Sequence, residues 1–161
     1  MRKGADRGSV VSEKQPSGQC PAAVFSGDID LASRGELDMV DITAGLERLV
    51  DDSGIFSGVV NVFVPGATGA LTTLEFEQGV VEDLRAAIGR MAPEGLEYRH
   101  HLKWDDGNGR SHVRAALIGP SITLPLREGR IPTGTWQQVV FIELDVRPRK
   151  RKLLVQIVGT R

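Results

Sequence analysis

The chain predicts an α+β fold with a largely antiparallel sheet, and three observations carry that prediction. Short apolar segments rich in β-branched residues recur along it, as over 58–64 and 153–158. Two segments space their apolar residues as one face of a helix. These elements do not alternate as the βαβ units of a parallel sheet require. A chain of 161 residues suits one domain. At that size roughly 68–70% of the unfolded surface is buried, so no disulfide staple is needed.

Residues 1–21 are polar and without hydrophobic period, so they read as a disordered tail before a single domain over 22–161. Residues 24–31 alternate like a strand, Ser33, Arg34 and Gly35 signal a turn, and 37–42 read as a second strand, so the two could form a hairpin. Ile42, Leu46, Leu49 and Val50 then share one helical face. Asp41 or Thr43 can cap that helix, and Gly54 can end it. The run 58–64 reads as a central strand buried on both faces, closed by Pro65 and Gly66. Residues 70–76 resume strand character. Val80, Val81, Leu84, Ala87, Ile88 and Met91 form a second helical stripe, stopped by Pro93.

The stretch 97–111 is polar and irregular, with Gly107 and Gly109 as turn residues. Residues 112–117 return to regular structure, stopped by Gly119 and Pro120. Residues 122–126 make a short strand, turned by Glu128, Gly129 and Arg130. Two long strands over 135–145 and 153–158 complete the chain. Their connection, 146–152, is too long and basic for a two-residue hairpin. The count is about eight strands and two helices.

The ordered motifs VFVPGAT from Val62, Tyr98 with His100, NGRSHVRAALIG from Asn108, GTWQ from Gly134 and ELDVRPR from Glu143 together resemble the YjbQ family, which is associated with a secondary thiamine-phosphate synthase activity. The run NGRSHVRAALIG from Asn108 resembles that family's Asn-x-His-x-His followed by a Leu-x-Gly turn. GTWQ from Gly134 resembles its Gly-Thr-Trp-Gln, and ELDVRPR from Glu143 its acidic-then-Pro-Arg hairpin. Upstream, Tyr98 and His100 resemble a Tyr-x-His, and VFVPGAT from Val62 a branch without the usual His-Thr-Thr. The similarity runs in order from about residue 23 to 159. It implies a bifurcated antiparallel sheet with two or three helices packed on one side, assembled as a homotrimer. It also implies a transferase that joins a pyrimidine diphosphate to a thiazole phosphate and releases pyrophosphate. Two positions depart from the pattern: Gly66 and Arg110 stand where histidines are common.

Three histidines remain, His100, His101 and His112. His100 and His112 flank the polar loop, and imidazole serves both as a metal ligand and as an acid or base near neutral pH. With Glu75, Asp105 or Asp106 they could hold a divalent ion, Zn²⁺ or Mg²⁺, and assist pyrophosphate departure. No tight metal motif such as HExxH supports this. Arg110 suits bidentate phosphate binding or is a solvated loop residue. Asn108 orients a ligand or simply turns the chain beside Gly109. The loop 65–69 could form an anion-binding concavity from its amides, Gly66 and the Thr68 hydroxyl, or be an ordinary tight connection. Trp136, beside Gln137, either stacks on a substrate ring or packs in the core, and its size favours packing. Trp104, in the polar loop, is the better ligand-facing aromatic.

Net charge is −1, but residues 28–98 carry fourteen acidic and four basic side chains, and 99–161 carry five acidic and twelve basic. An anionic ligand therefore belongs to the C-terminal part, unless the halves simply pair their charges. The basic cluster Arg147, Arg149, Lys150, Arg151 and Lys152 is either a phosphate surface or charged edge protection and salt bridging. Near-neutral overall charge argues against a nucleic-acid binder. No apolar stretch reaches the roughly 18–20 residues that span a bilayer, and the N-terminus lacks the apolar core of a signal peptide. The lone Cys20 forms no internal disulfide. The expectation is a cytoplasmic protein that takes a small phosphorylated molecule, either as an enzyme or as a non-catalytic trimeric binding or scaffold protein.

Overall fold

The computed structural model describes residues 21–104 and 106–161. The tail expected over 1–21, with Cys20, lies outside the described residues apart from Pro21. Seven strands and four helices follow in order: β1 (Ala22–Ala32), β2 (Asp38–Asp41), α1 (Thr43–Ser53), β3 (Ser57–Phe63), β4 (Gly69–Leu74), α2 (Gln78–Met91), α3 (His101–Trp104), α4 (Gly109–Ile118), β5 (Ser121–Leu126), β6 (Gln138–Glu143) and β7 (Lys150–Thr160). The fold is α+β with two antiparallel sheets, one of four strands ordered β1-β7-β3-β5 and one of three ordered β2-β6-β4.

The expected hairpin of the first two strands does not form. β1 pairs along its whole length with β7, from Ala22 opposite Thr160 to Ala32 opposite Lys150, whereas β2 pairs with β6. The turn at 33–37 carries the chain from one sheet to the other. Gly35 (φ 114°) and Leu37 (φ 60°) both take left-handed backbone there. That conformation is unfavourable for Leu37. Its amide donates to the Glu143 carbonyl at 2.8 Å and its carbonyl accepts from Arg85 Nε at 3.0 Å, which hold it in place.

Two cores result. In the first, Val60, Val62, Leu153, Val155 and Ile157 of the four-stranded sheet face Leu71, Val139 and Phe141 of the three-stranded one, with Leu46 and Val50 of α1 between them. In the second, Ala70, Val140 and Ile142 on the other face of the small sheet meet Val81 and Ile88 of α2 and Ala115 of α4. The strand buried on both faces is thus β6, not β3. Only Val60 and Val62 of β3 are buried, while Val59 and Phe63 are 42% and 39% exposed, because no layer among the described residues covers the outer face of the large sheet.

Local chemistry sets the helix ends. Asp41 Oδ1 accepts the Thr43 amide at 2.8 Å, and Gly54 closes α1 in left-handed backbone at φ 60°. The Glu77 carboxylate accepts the Gly79 and Val80 amides at the start of α2. The segment 112–117, counted above with the strands, belongs to α4. That helix buries a polar face, Arg110, Ser111 and Arg114, and leaves Val113 and Leu117 exposed.

Candidate functional site

At the end of β6 the alternation of buried residues runs into charge. Glu143 is fully buried. Its Oε1 accepts from Arg151 Nη2 at 2.6 Å and from the Asp145 amide at 2.9 Å. Its Oε2 accepts from Arg151 Nε at 2.8 Å and from Ser33 Oγ at 3.0 Å. A carboxylate deprived of water needs such a full set of donors. Asp145, 3% exposed, accepts from Arg149 Nε at 2.9 Å and from Thr68 Oγ1 at 3.3 Å. Thr68 in turn accepts from Arg151 Nη2 at 2.9 Å.

The loop 65–69 lies over this network. Gly66 has φ 111°, and a Cβ placed on it would stand 3.2 Å from Arg151 Nη1. The guanidinium therefore occupies the space that a side chain at Gly66 would need. Among the described residues, neither Nη1 nor the amides of Gly66, Ala67 and Thr68 donate to any acceptor.

The turn at 33–37 links this corner to the start of α4. Glu36 Oε1 accepts from Arg110 Nε at 2.6 Å and Arg114 Nη1 at 2.5 Å, and Oε2 from Arg110 Nη2 at 2.7 Å. Arg110 Nη1 donates to the Gly107 carbonyl at 3.0 Å, and Nη2 also reaches Glu94 Oε1 at 3.1 Å. Every guanidinium nitrogen of Arg110 is engaged within the chain, with the side chain 9% exposed. The Arg110 hydrogen bonds hold the Glu36 carboxyl below its usual range against an opposing desolvation, with Arg114 adding to the effect.

This predicts a pH dependence with a definite sign. In the unfolded chain a glutamate titrates near ~4.3. Because Glu36 titrates lower when folded, its contribution is complete above that pH and disappears as pH falls through the folded value. Urea unfolding at pH 7 and at pH 3.5 should show Glu36→Gln less stable than the parent at pH 7, with a smaller loss on acidification. An equal loss in both proteins would show that Glu36 is not coupled to folding.

His100 and His112 come together across the loop, with ring centroids 4.5 Å apart and planes inclined at 49°. Asp106 Oδ1 stands 3.4 Å from His100 Nε2, close enough for ionic attraction but not aligned as a hydrogen bond. His101 does something different. Its Nε2 accepts the Gly109 amide at 3.2 Å and so caps α4 in place of Asn108. Asn108 Oδ1 and Ser111 Oγ are buried there without a partner among the described residues. No group of three or more His, Cys, Asp or Glu side chains among the described residues is arranged to hold a metal ion. Asp105 and the side chain of Trp104 lie outside the described residues.

Comparison with known proteins places this geometry in a family. The model of the UPF0047 YjbQ-like proteins matches residues 27–160. A UPF0047 protein of Methanothermobacter thermautotrophicus is 33% identical over 136 residues, covering 84% of this chain and 93% of its own. The chain belongs to the YjbQ-like family. A relative from Archaeoglobus fulgidus is also 33% identical, covering 80% of this chain and 98% of its own. Two solved structures share the fold. One, a YbjQ-like protein of unknown function from Sulfolobus solfataricus, has TM-score 0.81 and 33% identity, with 86% of this chain and 99% of that one covered. The other, a hypothetical protein from Aeropyrum pernix, has TM-score 0.78 and 30% identity, with 84% and 98% covered. No helix among the described residues is long and apolar enough to cross a membrane.

The remaining expected residues of this YjbQ-like chain lie elsewhere. β4 pairs with β6 from Gly69 opposite Glu143 to Leu74 opposite Gln138, a run of about 17 Å, so Glu75, Trp136 and Gln137 sit beyond the far end of the small sheet from Thr68. Gln137 Nε2 donates to Thr73 Oγ1 at 3.0 Å, and its Oε1 accepts the Gly134 amide at 3.1 Å, so it pins the 131–137 loop. Trp136 does not pack in the core as its size suggests; it is 71% exposed on that loop.

Glu36, Glu143 and Asp145 were not among the expected site residues, and Arg151 entered only as one member of the basic cluster 147–152. A signal for Arg151 exists: it falls in the same alternation as Leu153, Val155 and Ile157, the inward face of β7.

Proposed function

We propose that the chain binds a small phosphorylated molecule, seated at the 65–69 loop against Arg151. One observation carries the reading: among the described residues, Arg151 Nη1 and three consecutive loop amides find no acceptor beside Gly66, which has no side chain to cover them. Guanidinium and backbone N–H groups are the donors that phosphate oxygens take. Arg149 and Arg151 are balanced by Asp145 and Glu143, so these carboxylates fix the guanidinium in place and the amides supply the remaining attraction.

The seat is tested by thermal unfolding with inorganic pyrophosphate. At a hundredfold excess over the dissociation constant, binding adds about 2.7 kcal/mol. For a domain of this size that is a rise in Tm of roughly 5–10 °C. Gly66→Ala should abolish the rise, because its Cβ meets Arg151 Nη1. A Tm that ignores pyrophosphate in the parent, or responds equally in Gly66→Ala, would sink the proposal.

A second reading rests on the pairing of His100 and His112. Two imidazoles in ring contact next to Asp106 can hold and pass a proton, which would assist departure of pyrophosphate. In that reading the protein performs the transferase reaction implied by the resemblance, with Asn108 orienting the substrate.

A further inference from the structure

Gly89 lies in the last turn of α2, where glycine is less favourable than alanine. Packing within the chain gives no reason for it, because an added Cβ would meet no heavy atom within 4 Å. Gly89 instead opens onto a cleft of about 470 Å³, lined also by Glu36, Leu37, Pro93, Glu94 and Arg114. That volume lies within the range of small-molecule sites. Leu37, in left-handed backbone at φ 60°, forms part of its wall. Strained residues of this kind gather at ligand sites.

The polar groups in the cleft are of both signs. Arg114 is 2% exposed. Its Nε donates to the Ala92 carbonyl at 3.0 Å and its Nη1 to Glu36 at 2.5 Å. Its Nη2 has no acceptor among the described residues. Across the cleft, Glu94 is 80% exposed, and only its Oε1 is engaged, by Arg110. The four charges Arg110, Arg114, Glu36 and Glu94 cancel, so a ligand with one charge of each sign leaves the cluster neutral. A lone anion or cation does not.

We infer that this cleft binds a small zwitterion of the α-amino-acid type. The carboxylate accepts from Arg114 Nη2 and the ammonium donates to Glu94. An apolar side group lies against Leu37 and Pro93, in the space that Gly89 leaves open. This site is separate from the phosphate seat at the 65–69 loop and does not depend on it.

The probes are leucine, 4-methylpentanoate (the same skeleton without the amine) and 3-methylbutylamine (without the carboxylate). They are applied to the purified full chain by calorimetry and thermal unfolding. Leucine should raise Tm, and each single-charge analogue should bind at least tenfold more weakly. Gly89→Ala should raise the Tm of the free protein, since alanine suits a helix, yet weaken leucine binding at least tenfold by filling the cleft. Glu94→Gln should weaken it similarly without unfolding the protein. Gly89→Ala should keep any pyrophosphate response. The inference is overturned if leucine has no effect, if the analogues bind as well, or if Gly89→Ala binds leucine normally. Leucine binding lost in Gly66→Ala but kept in Gly89→Ala would overturn it too, by assigning the ligand to the 65–69 corner.

Discussion

Alanine at Gly58 should lower stability by about 3 kcal/mol, the upper end of the usual cost of overpacking. Tm should fall by roughly 6–12 °C in a domain of this size. The reason is a backbone contact, not a side-chain one. Gly58 and Gly159 are register partners between β3 and β7, the two central strands of the large sheet. A Cβ on Gly58 would stand 2.0 Å from the Val158 carbonyl oxygen and 2.6 Å from the Gly159 Cα. A Cβ on Gly159 would meet the Ser57 carbonyl oxygen at 2.0 Å. Neither obstacle can rotate away, so relief requires the strands to separate. Separation would disturb Val60 and Ile157, both fully buried on the adjoining rows. Thermal and urea unfolding of Gly58→Ala check this. A loss below about 1 kcal/mol, the ordinary scale for a point mutation, would mean that the seam yields easily.

Strands announced themselves wherever one face was apolar and the other polar. Burial alternates along β7 from Leu153 to Ile157 and along β1 from Ala23 to Leu31, and although Val24 and Leu154 put apolar residues on the outer face, both segments were legible as strands. Pairing was not legible. Neighbouring strands in sequence most often pair, yet β1 and β2 part into different sheets because the left-handed turn at Gly35 and Leu37 redirects the chain. Burial on both faces was assigned to β3 because its run is apolar on both faces apart from Asn61. The run VVFI of β6 looks the same, and only the stacking of layers decides between them.

The candidate site was legible in its histidines and obscure in its ion pairs. His100 and His112 stood out as rare residues flanking one loop, and the structure brings their rings into contact. α4 was obscured by an inverted pattern. Hydrophobic period assumes that the apolar face is buried, but here Arg110, Ser111 and Arg114 face inward towards Glu36 and Ala92, while Val113 and Leu117 face outward. A charge that turns inward depends on a partner distant in sequence: Arg110 lies 74 residues from Glu36. No local pattern carries such a pairing.

Glu143→Gln should cost about 3–5 kcal/mol, as loss of one partner from a buried ion pair does. Glutamine keeps the shape but brings an NH₂ group where both carboxylate oxygens accept. Arg151 Nε and Nη2, Ser33 Oγ and the Asp145 amide all point donors at this position. Whichever way the amide turns, donors face donors. Arg151, only 11% exposed, then retains its charge with Asp145 as the remaining anion of the corner. Removing that charge should reverse part of the damage: the double variant Glu143→Gln, Arg151→Met should be more stable than Glu143→Gln alone, because no guanidinium is then left buried without the Glu143 carboxylate. Urea unfolding of the parent, both single variants and the double variant completes the cycle. The double variant also separates folding from binding. It should regain stability and still ignore pyrophosphate, since the seat needs the Arg151 guanidinium. Recovery of both would mean that Arg151 serves the fold alone and that the phosphate is held by the amides of the 65–69 loop without it.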